Sequence, residues 1–116
     1  MSTTVAITGA TGFLGAHLAL AFLAAGASVR AVVRSPRKAA WLADLGVVVH
    51  RADLAEPDAM REAFTGCDAV IANAARITAA GGTWEQCLAD NRDGAANQLQ
   101  AAADAGYTEN DPMIFV

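Results

Sequence analysis

Short apolar runs rich in β-branched residues alternate with longer alanine-rich stretches along the 116-residue chain. The short runs predict buried strands, and the longer stretches predict helices, several of which begin at a proline or end before a glycine. The predicted strands are Thr4–Thr8, Ser28–Arg34, Val47–Val49, Ala69–Ala72 and Met113–Val116, and the predicted helices are Leu14–Ala25, Pro36–Leu45, Pro57–Phe64 and Thr83–Ala105. This alternation is typical of βαβ units and a parallel sheet.

The connections between the strands predict the order of the sheet. Crossovers between parallel strands are right-handed and place helices on both faces of the sheet. The predicted fold is therefore a doubly wound parallel α/β sheet, a Rossmann fold, with about five strands in the order 3-2-1-4-5. We expect one domain over residues 1–116 and a crevice between the first and fourth strands.

The segment between the first strand and the first helix is rich in glycine and reads TGATGFLG over residues 8–15. A glycine turn between a strand and a helix is the arrangement that binds a dinucleotide pyrophosphate on unpaired helix N-terminal N–H groups. Gly9 is expected to allow the sharp exit from the strand, Gly12 the approach of phosphate, and Gly15 close packing of the helix on the sheet. An ordinary tight turn is the alternative, which the flanking strand and helix disfavour.

Composition and charge narrow the classes of partner. The formal net charge is −4 and the basic cluster between Arg34 and Lys38 is small, which argues against nucleic acid as a partner. The apolar runs are shorter than the ~20 residues of a membrane span and no signal peptide is visible, so we expect a cytoplasmic location and no membrane partner. Cys67 and Cys87 lack the spacing of a metal site, and we expect reduced packing residues and no metal.

Three motifs occur in the order that is found in a known superfamily. They are the glycine loop, the run GCDAVIANAA at residues 66–75 and the sequence DNRDG at residues 90–94. From Val5 to Val116 the chain resembles the short-chain dehydrogenase/reductase superfamily, and best its extended branch. That branch holds dihydroflavonol-reductase-like enzymes and the NAD-dependent epimerase/dehydratase group. The resemblance implies an NAD(P)-dependent oxidoreductase that transfers hydride between the cofactor and a carbonyl or hydroxyl substrate.

The resemblance also implies a set of cofactor-binding residues. Those expected along the pyrophosphate are Gly9, Thr11, Gly12, Phe13, Leu14 and Gly15. Asp53 and Leu54 match an Asp-Leu pair whose carboxylate accepts from the adenine amino group, although a turn or helix-capping aspartate is the alternative for Asp53. Ala74 and Ala75 match small residues that let the nicotinamide ribose approach.

The end of the second strand bears on the choice between NAD and NADP. NAD-binding folds place an acidic residue here to bind the ribose 2′-hydroxyl, whereas this chain has Arg34, Ser35 and Arg37. Two guanidinium groups and a hydroxyl suit a 2′-phosphate, so NADP is favoured and NAD is the alternative. Arg34 and Arg37 could instead be solvated surface charges.

The catalytic residues of the superfamily are the least completely matched in this chain. Asn91 resembles a helix asparagine that supports a proton relay, and a locally bonded helix asparagine is the alternative. The YxxxK pair of the superfamily has no match, because the one tyrosine is Tyr107 and the one lysine is Lys38. We therefore expect the cofactor-binding part of an extended reductase, without its catalytic and substrate-binding half. A non-catalytic NAD(P)-sensing or interaction module is the alternative.

The predicted last strand, Met113–Val116, is apolar and has no charged or proline residue after Pro112. An exposed apolar edge is a template for strand pairing. We expect this segment to be covered by another chain, or to fray and promote self-association.

Overall fold

The computed structural model describes residues 3–74 and 82–116. The strands in these ranges are β1 Thr4–Thr8, β2 Ser28–Val33, β3 Val48–Arg51, β4 Ala69–Ala72 and β5 Met113–Phe115. The helices are α1 Phe13–Ala24, α2 Ala40–Asp44, α3 Pro57–Phe64 and α4 Trp84–Asp104. The predicted alternation of strands and helices is confirmed, with small shifts in the boundaries.

The strands pair in parallel in the order β3-β2-β1-β4-β5, which confirms the predicted sheet. β1 lies in the middle of the sheet, where Ile7 pairs with Ala31 of β2 on one side and Ile71 of β4 on the other. The chain winds outward from β1 to β3 and then returns to β4. The carboxyl ends of β1 and β4 therefore border the crevice of a doubly wound sheet.

Alternate strand residues supply two cores, one on each face of the sheet. Val5 and Ile7 belong to the core under α1 and α2, whereas Ala6 belongs to the core under α3 and α4. Met60 and Phe64 of α3 are fully buried in the second core. Such burial on both faces is typical of parallel sheets. None of the helices in the described ranges has the length and apolar character needed to span a membrane.

The segment after β2 differs from the single helix predicted over Pro36–Leu45. A 3₁₀ turn occupies Pro36–Ala39 and is followed by the short helix α2. The Lys38 amide donates to the Ser35 carbonyl oxygen at 3.1 Å, which is the spacing of 3₁₀ structure. Ala39 and Leu42 are fully buried. This packing outweighs the helix propensity of so short a segment.

The connection from α4 to β5 is anchored against the start of β4. The Tyr107 hydroxyl donates to the Cys67 carbonyl oxygen at 2.8 Å, and the Tyr107 ring packs against the second core. Burial raises the pKa of Tyr107 to about 12, and the charges of Cys67 and Asp111 add to the effect. This anchor positions the chain that leads into β5, so it supports β4 from its outer side.

Replacing Tyr107 by phenylalanine removes the hydrogen bond and keeps the ring, so we expect a loss of about 1 kcal/mol in the free energy of unfolding at neutral pH. The folded protein holds the phenol proton more strongly than the unfolded chain, because the pKa rises from 10.0 to about 12. The stability due to this proton is present below about pH 10 and is lost as the pH rises to about 12. Denaturant unfolding of both proteins over this range measures the effect. A stability difference that does not change with pH would contradict it.

Candidate functional site

A cavity of about 900 Å³ opens at the carboxyl ends of the central strands. Its walls come from the loop between β1 and α1, the end of β2, the loop between β3 and α3, the end of β4, and α4. The predicted site residues on these walls are Gly9, Thr11, Gly12, Phe13, Leu14, Arg34, Asp53, Leu54, Ala74 and Asn91. The fold thus brings residues that are far apart in the sequence to one cavity.

Three other predicted residues do not line the cavity. Gly15 is buried, and its role is to let α1 pack closely rather than to face the cavity. Ser35 and Arg37 lie at and in the 3₁₀ turn, where the chain leaves the cavity wall directly after Arg34. Ala75 lies outside the described residues.

Gly9 and Gly15 are required by the packing of the protein itself. Gly9 has a φ of +65°, and a Cβ atom there would lie 2.9 Å from the Ala74 Cα atom. A Cβ atom at Gly15 would collide with the Gly9 carbonyl oxygen and lie 2.8 Å from the Asn73 Nδ2 atom. A side chain at either position would therefore separate the loop from α1 or from the end of β4.

Gly12 differs because no such packing requires it. Among the described residues, a Cβ atom there would meet the Gly9 carbonyl oxygen alone, at 3.4 Å. Gly12 is the N-cap of α1, and in the part of the chain that the structure describes no side chain caps this helix. The first N–H groups of an α-helix have no partner within the helix. The open space beside Gly12 and the helix N-terminus together fit an anionic group such as a pyrophosphate.

Thr8 lies beneath the cavity at the centre of a hydrogen-bond junction that the sequence analysis did not identify. Its buried hydroxyl donates to Gln98 Oε1 at 2.6 Å and accepts from the backbone amides of Asn73 and Ala74, both at 3.0 Å. The Asn73 Nδ2 group in turn donates to the Gly9 carbonyl oxygen at 3.3 Å. The junction joins β1, the end of β4, α4 and the glycine loop. The sequence signal for this junction is a pair of polar residues, one at a buried position of a strand and one at a buried position of a helix.

Asp53 begins the loop between β3 and α3. Its Oδ1 atom accepts from the Ala55 amide at 3.0 Å, which is the turn geometry of the alternative interpretation. The Glu56 carboxylate accepts from the Asp53 amide at 3.1 Å and pairs with Arg51 at 2.8 Å. The loop is therefore held in place by its own side chains, and Asp53 is one of the residues that line the cavity.

Leu54, the next residue, packs on α4. A Cβ atom at Gly94 would lie 2.9 Å from the Leu54 Cδ1 atom, so the glycine of the DNRDG sequence makes room for this side chain. The Asn97 Nδ2 group donates to the Leu54 carbonyl oxygen at 2.7 Å. The packing and the hydrogen bond attach the loop after β3 to α4.

Arg34 is exposed at the end of β2 and lines the cavity. Ion pairs within the described ranges join Arg51 to Glu56 and Arg92 to Asp93, and they leave Arg34 without an acidic partner there. Arg34 is thus the basic residue of the described cavity wall.

Asn91 is half-buried on α4 and also lines the cavity. Its Nδ2 group donates to the Cys87 Sγ atom at 3.6 Å, one turn earlier in the helix. This bond lies within α4, and the role of Asn91 stays a prediction. In the described parts of the chain, no three His, Cys, Asp or Glu side chains are grouped so that they could hold a metal ion.

Comparisons with known proteins agree with this geometry. A family model described as NAD(P)H-binding matches residues 9–109. A farnesyl dihydroquinoline oxide ketoreductase from Stigmatella aurantiaca is 37% identical over 99 residues, which cover 85% of this chain and 29% of the relative. A dihydroflavonol 4-reductase from Arabidopsis thaliana is 40% identical over 76 residues, which cover 59% of this chain and 20% of the relative.

A solved structure of similar fold is the Citrobacter sp. triphenylmethane reductase complexed with NADP(H). It is 30% identical, with a TM-score of 0.73, and the match covers 97% of this chain and 36% of that one. The chain therefore spans about a third, or less, of the length of these relatives. The motifs, the sheet order and these similarities lead to one conclusion. The chain belongs to the NAD(P)H-binding family, in the extended branch of the short-chain dehydrogenase/reductase superfamily.

Proposed function

We propose that the cavity binds NADP(H) and that the chain is the cofactor-binding part of an extended short-chain oxidoreductase. The observation that carries the proposal is a wall that combines open space at Gly12, the N-terminus of α1 and Arg34, which has no ion pair within the described ranges. Membership of the NAD(P)H-binding family supports the same cofactor class. The related triphenylmethane reductase, whose structure contains NADP(H), supports NADP in particular.

Each part of the cofactor would contact a different part of the cavity. The pyrophosphate would lie at Gly12 and the first turn of α1, and the 2′-phosphate would lie at Arg34. Asp53 would face the adenine, and the small side chain of Ala74 would leave room for the nicotinamide ribose. When bound, the cofactor supplies or accepts a hydride, and the chain holds and orients it.

The substrate of the whole protein would be a carbonyl or hydroxyl compound. Relatives named as ketoreductase and dihydroflavonol 4-reductase support this class. The 116 residues contain no YxxxK pair, so the proton donor of such a reaction would have to lie outside them. Asn91, on the cavity wall, would help to maintain the geometry of the active site. A cytoplasmic location stays a prediction.

The choice of NADP over NAD is tested by Arg34→Ala. A hydrogen bond to a charged group contributes about 1.5 to 3 kcal/mol, so we expect NADPH to bind roughly tenfold to a hundredfold more weakly and NADH to bind almost as before. Calorimetric titration with both cofactors measures this. Lys38→Ala is the matched control, because it removes a neighbouring positive charge of the 3₁₀ turn. Equal losses of NADPH and NADH affinity in Arg34→Ala would contradict a bound 2′-phosphate.

The position of the pyrophosphate is tested by comparing two glycines of the same loop. In Gly12→Ala the Cβ atom has room and φ is −76°, so we expect the free energy of unfolding to fall by no more than about 1 kcal/mol. The same Cβ atom would occupy the proposed phosphate site, and we expect NADPH affinity to fall at least about tenfold. In Gly15→Ala, by contrast, we expect a loss of about 1 to 3 kcal/mol in stability. Thermal unfolding and NADPH titration measure both effects. Wild-type NADPH affinity in a folded Gly12→Ala protein would show that the pyrophosphate lies elsewhere.

Self-association through β5 is a further part of the proposal. In the described sheet β5 is an edge strand, and Ile114 and Phe115 on it are exposed. An unguarded apolar edge favours pairing with another strand, and a lysine on such an edge opposes it. We therefore expect the chain to associate with rising concentration and Ile114→Lys to associate less. Sedimentation velocity over a concentration series measures this. A wild-type chain that stays monomeric would contradict pairing at this edge.

A further inference from the structure

Two adjacent amide side chains of α4 bind two different parts of the cavity. Asn97 donates to the Leu54 carbonyl oxygen at 2.7 Å, in the loop after β3. Gln98 accepts from the Thr8 hydroxyl at 2.6 Å, at the end of β1. One turn of helix thus joins the β3 side of the cavity to the crevice between β1 and β4.

The Thr8 hydroxyl uses its full capacity for hydrogen bonds. A hydroxyl carries one hydrogen and two lone pairs. Gln98 takes the hydrogen, and the amides of Asn73 and Ala74 donate to the oxygen. Because Gln98 accepts the one available hydrogen, both lone pairs remain for the end of β4. The hydrogen bond to Gln98 therefore determines the direction in which the two lone pairs of the Thr8 hydroxyl point.

The orientation of Gln98 is itself determined. The residue is 2% exposed, and its Nε2 group donates to the Gly94 carbonyl oxygen at 3.2 Å. With the nitrogen engaged by Gly94, the Oε1 atom faces Thr8. If Oε1 and Nε2 of Gln98 were exchanged, the NH₂ group would face the Thr8 hydroxyl. The Gly94 carbonyl oxygen would then have no side-chain donor from Gln98.

The residues that Thr8 holds belong to the cavity wall. Asn73 and Ala74 line the cavity, and Asn73 also donates to the Gly9 carbonyl oxygen at 3.3 Å. Ala74 is the residue that a side chain at Gly9 would strike. A change in the Thr8 junction would therefore shift the end of β4 relative to the glycine loop.

We propose that Gln98 and Thr8 act as a positioning pair that holds the end of β4 for the nicotinamide half of the cofactor, while Asn97 holds the loop on the adenine side. The inference rests on the proposed NADP(H) site and adds to it a division of labour within α4. Neither Gln98 nor Asn97 needs to touch the reacting atoms. Each acts through the backbone that it holds.

The division is tested with a whole ligand and with its adenine half, NADPH and adenosine 2′,5′-bisphosphate. We expect Gln98→Met, which keeps the length of the side chain, to weaken NADPH roughly threefold to tenfold and to leave the bisphosphate unchanged. We expect Asn97→Leu to weaken both ligands by the same factor. Thermal unfolding of each variant sets a temperature at which all are folded, and calorimetric titration there gives the affinities. Equal losses of both ligands in Gln98→Met would be the result of general destabilisation and would overturn the inference.

Thr8 supplies the matched control. Thr8→Ser keeps the hydroxyl and should bind NADPH nearly as the wild type does, whereas Thr8→Val should repeat the effect of Gln98→Met. The double variant Thr8→Val/Gln98→Met should lose no more NADPH affinity than either single variant, because both break the same junction. Additive losses would overturn the inference. If Gln98→Met fails to fold, the Thr8 pair decides the same point. A wild-type chain that binds neither ligand would instead overturn the proposed function.

Discussion

The cavity of this protein depends on a close approach of three backbone segments at the ends of β1 and β4. Gly9 lies against Ala74, and Gly15 of α1 lies against the Gly9 carbonyl oxygen. Neither contact leaves space for a Cβ atom. The N-terminus of α1 is consequently held at the carboxyl end of the sheet, where the first-turn N–H groups can meet an anion.

The glycines of the loop therefore act in two ways. Gly9 and Gly15 serve the fold, because the protein itself fills the space that a side chain would need. At Gly12 the described residues leave room for a Cβ atom, and its missing side chain leaves space in the cavity wall where we propose the pyrophosphate. The TGATGFLG sequence thus contains two glycines that the fold requires and one, Gly12, for which we propose a role in binding the cofactor.

Charge limits where an anionic cofactor can lie. Asp53 lines the cavity without an ion pair in the described ranges, whereas Asp93 is paired with Arg92, and a carboxylate repels a phosphate at short range. Arg34, at the end of β2, and the N-terminus of α1 instead attract anions. In the proposed site the phosphates would therefore lie at the glycine loop and at the end of β2. This separation suits a dinucleotide, whose charges are confined to its phosphates.

The sequence by itself determined the alternation of elements, the sheet order and the glycine loop, because these depend on local periodicity and on the handedness of crossovers. It also assigned Arg34 to the cofactor, which stays a prediction, and the structure places Arg34 on the cavity wall. Tertiary structure decided which neighbours of Arg34 share that wall, since the 3₁₀ turn takes Ser35 and Arg37 off it. The pairing of Thr8 with Gln98, 90 residues later, was likewise decided only by the fold. No local pattern shows that a strand hydroxyl and a helix amide will meet, because their contact depends on how α4 packs on the sheet.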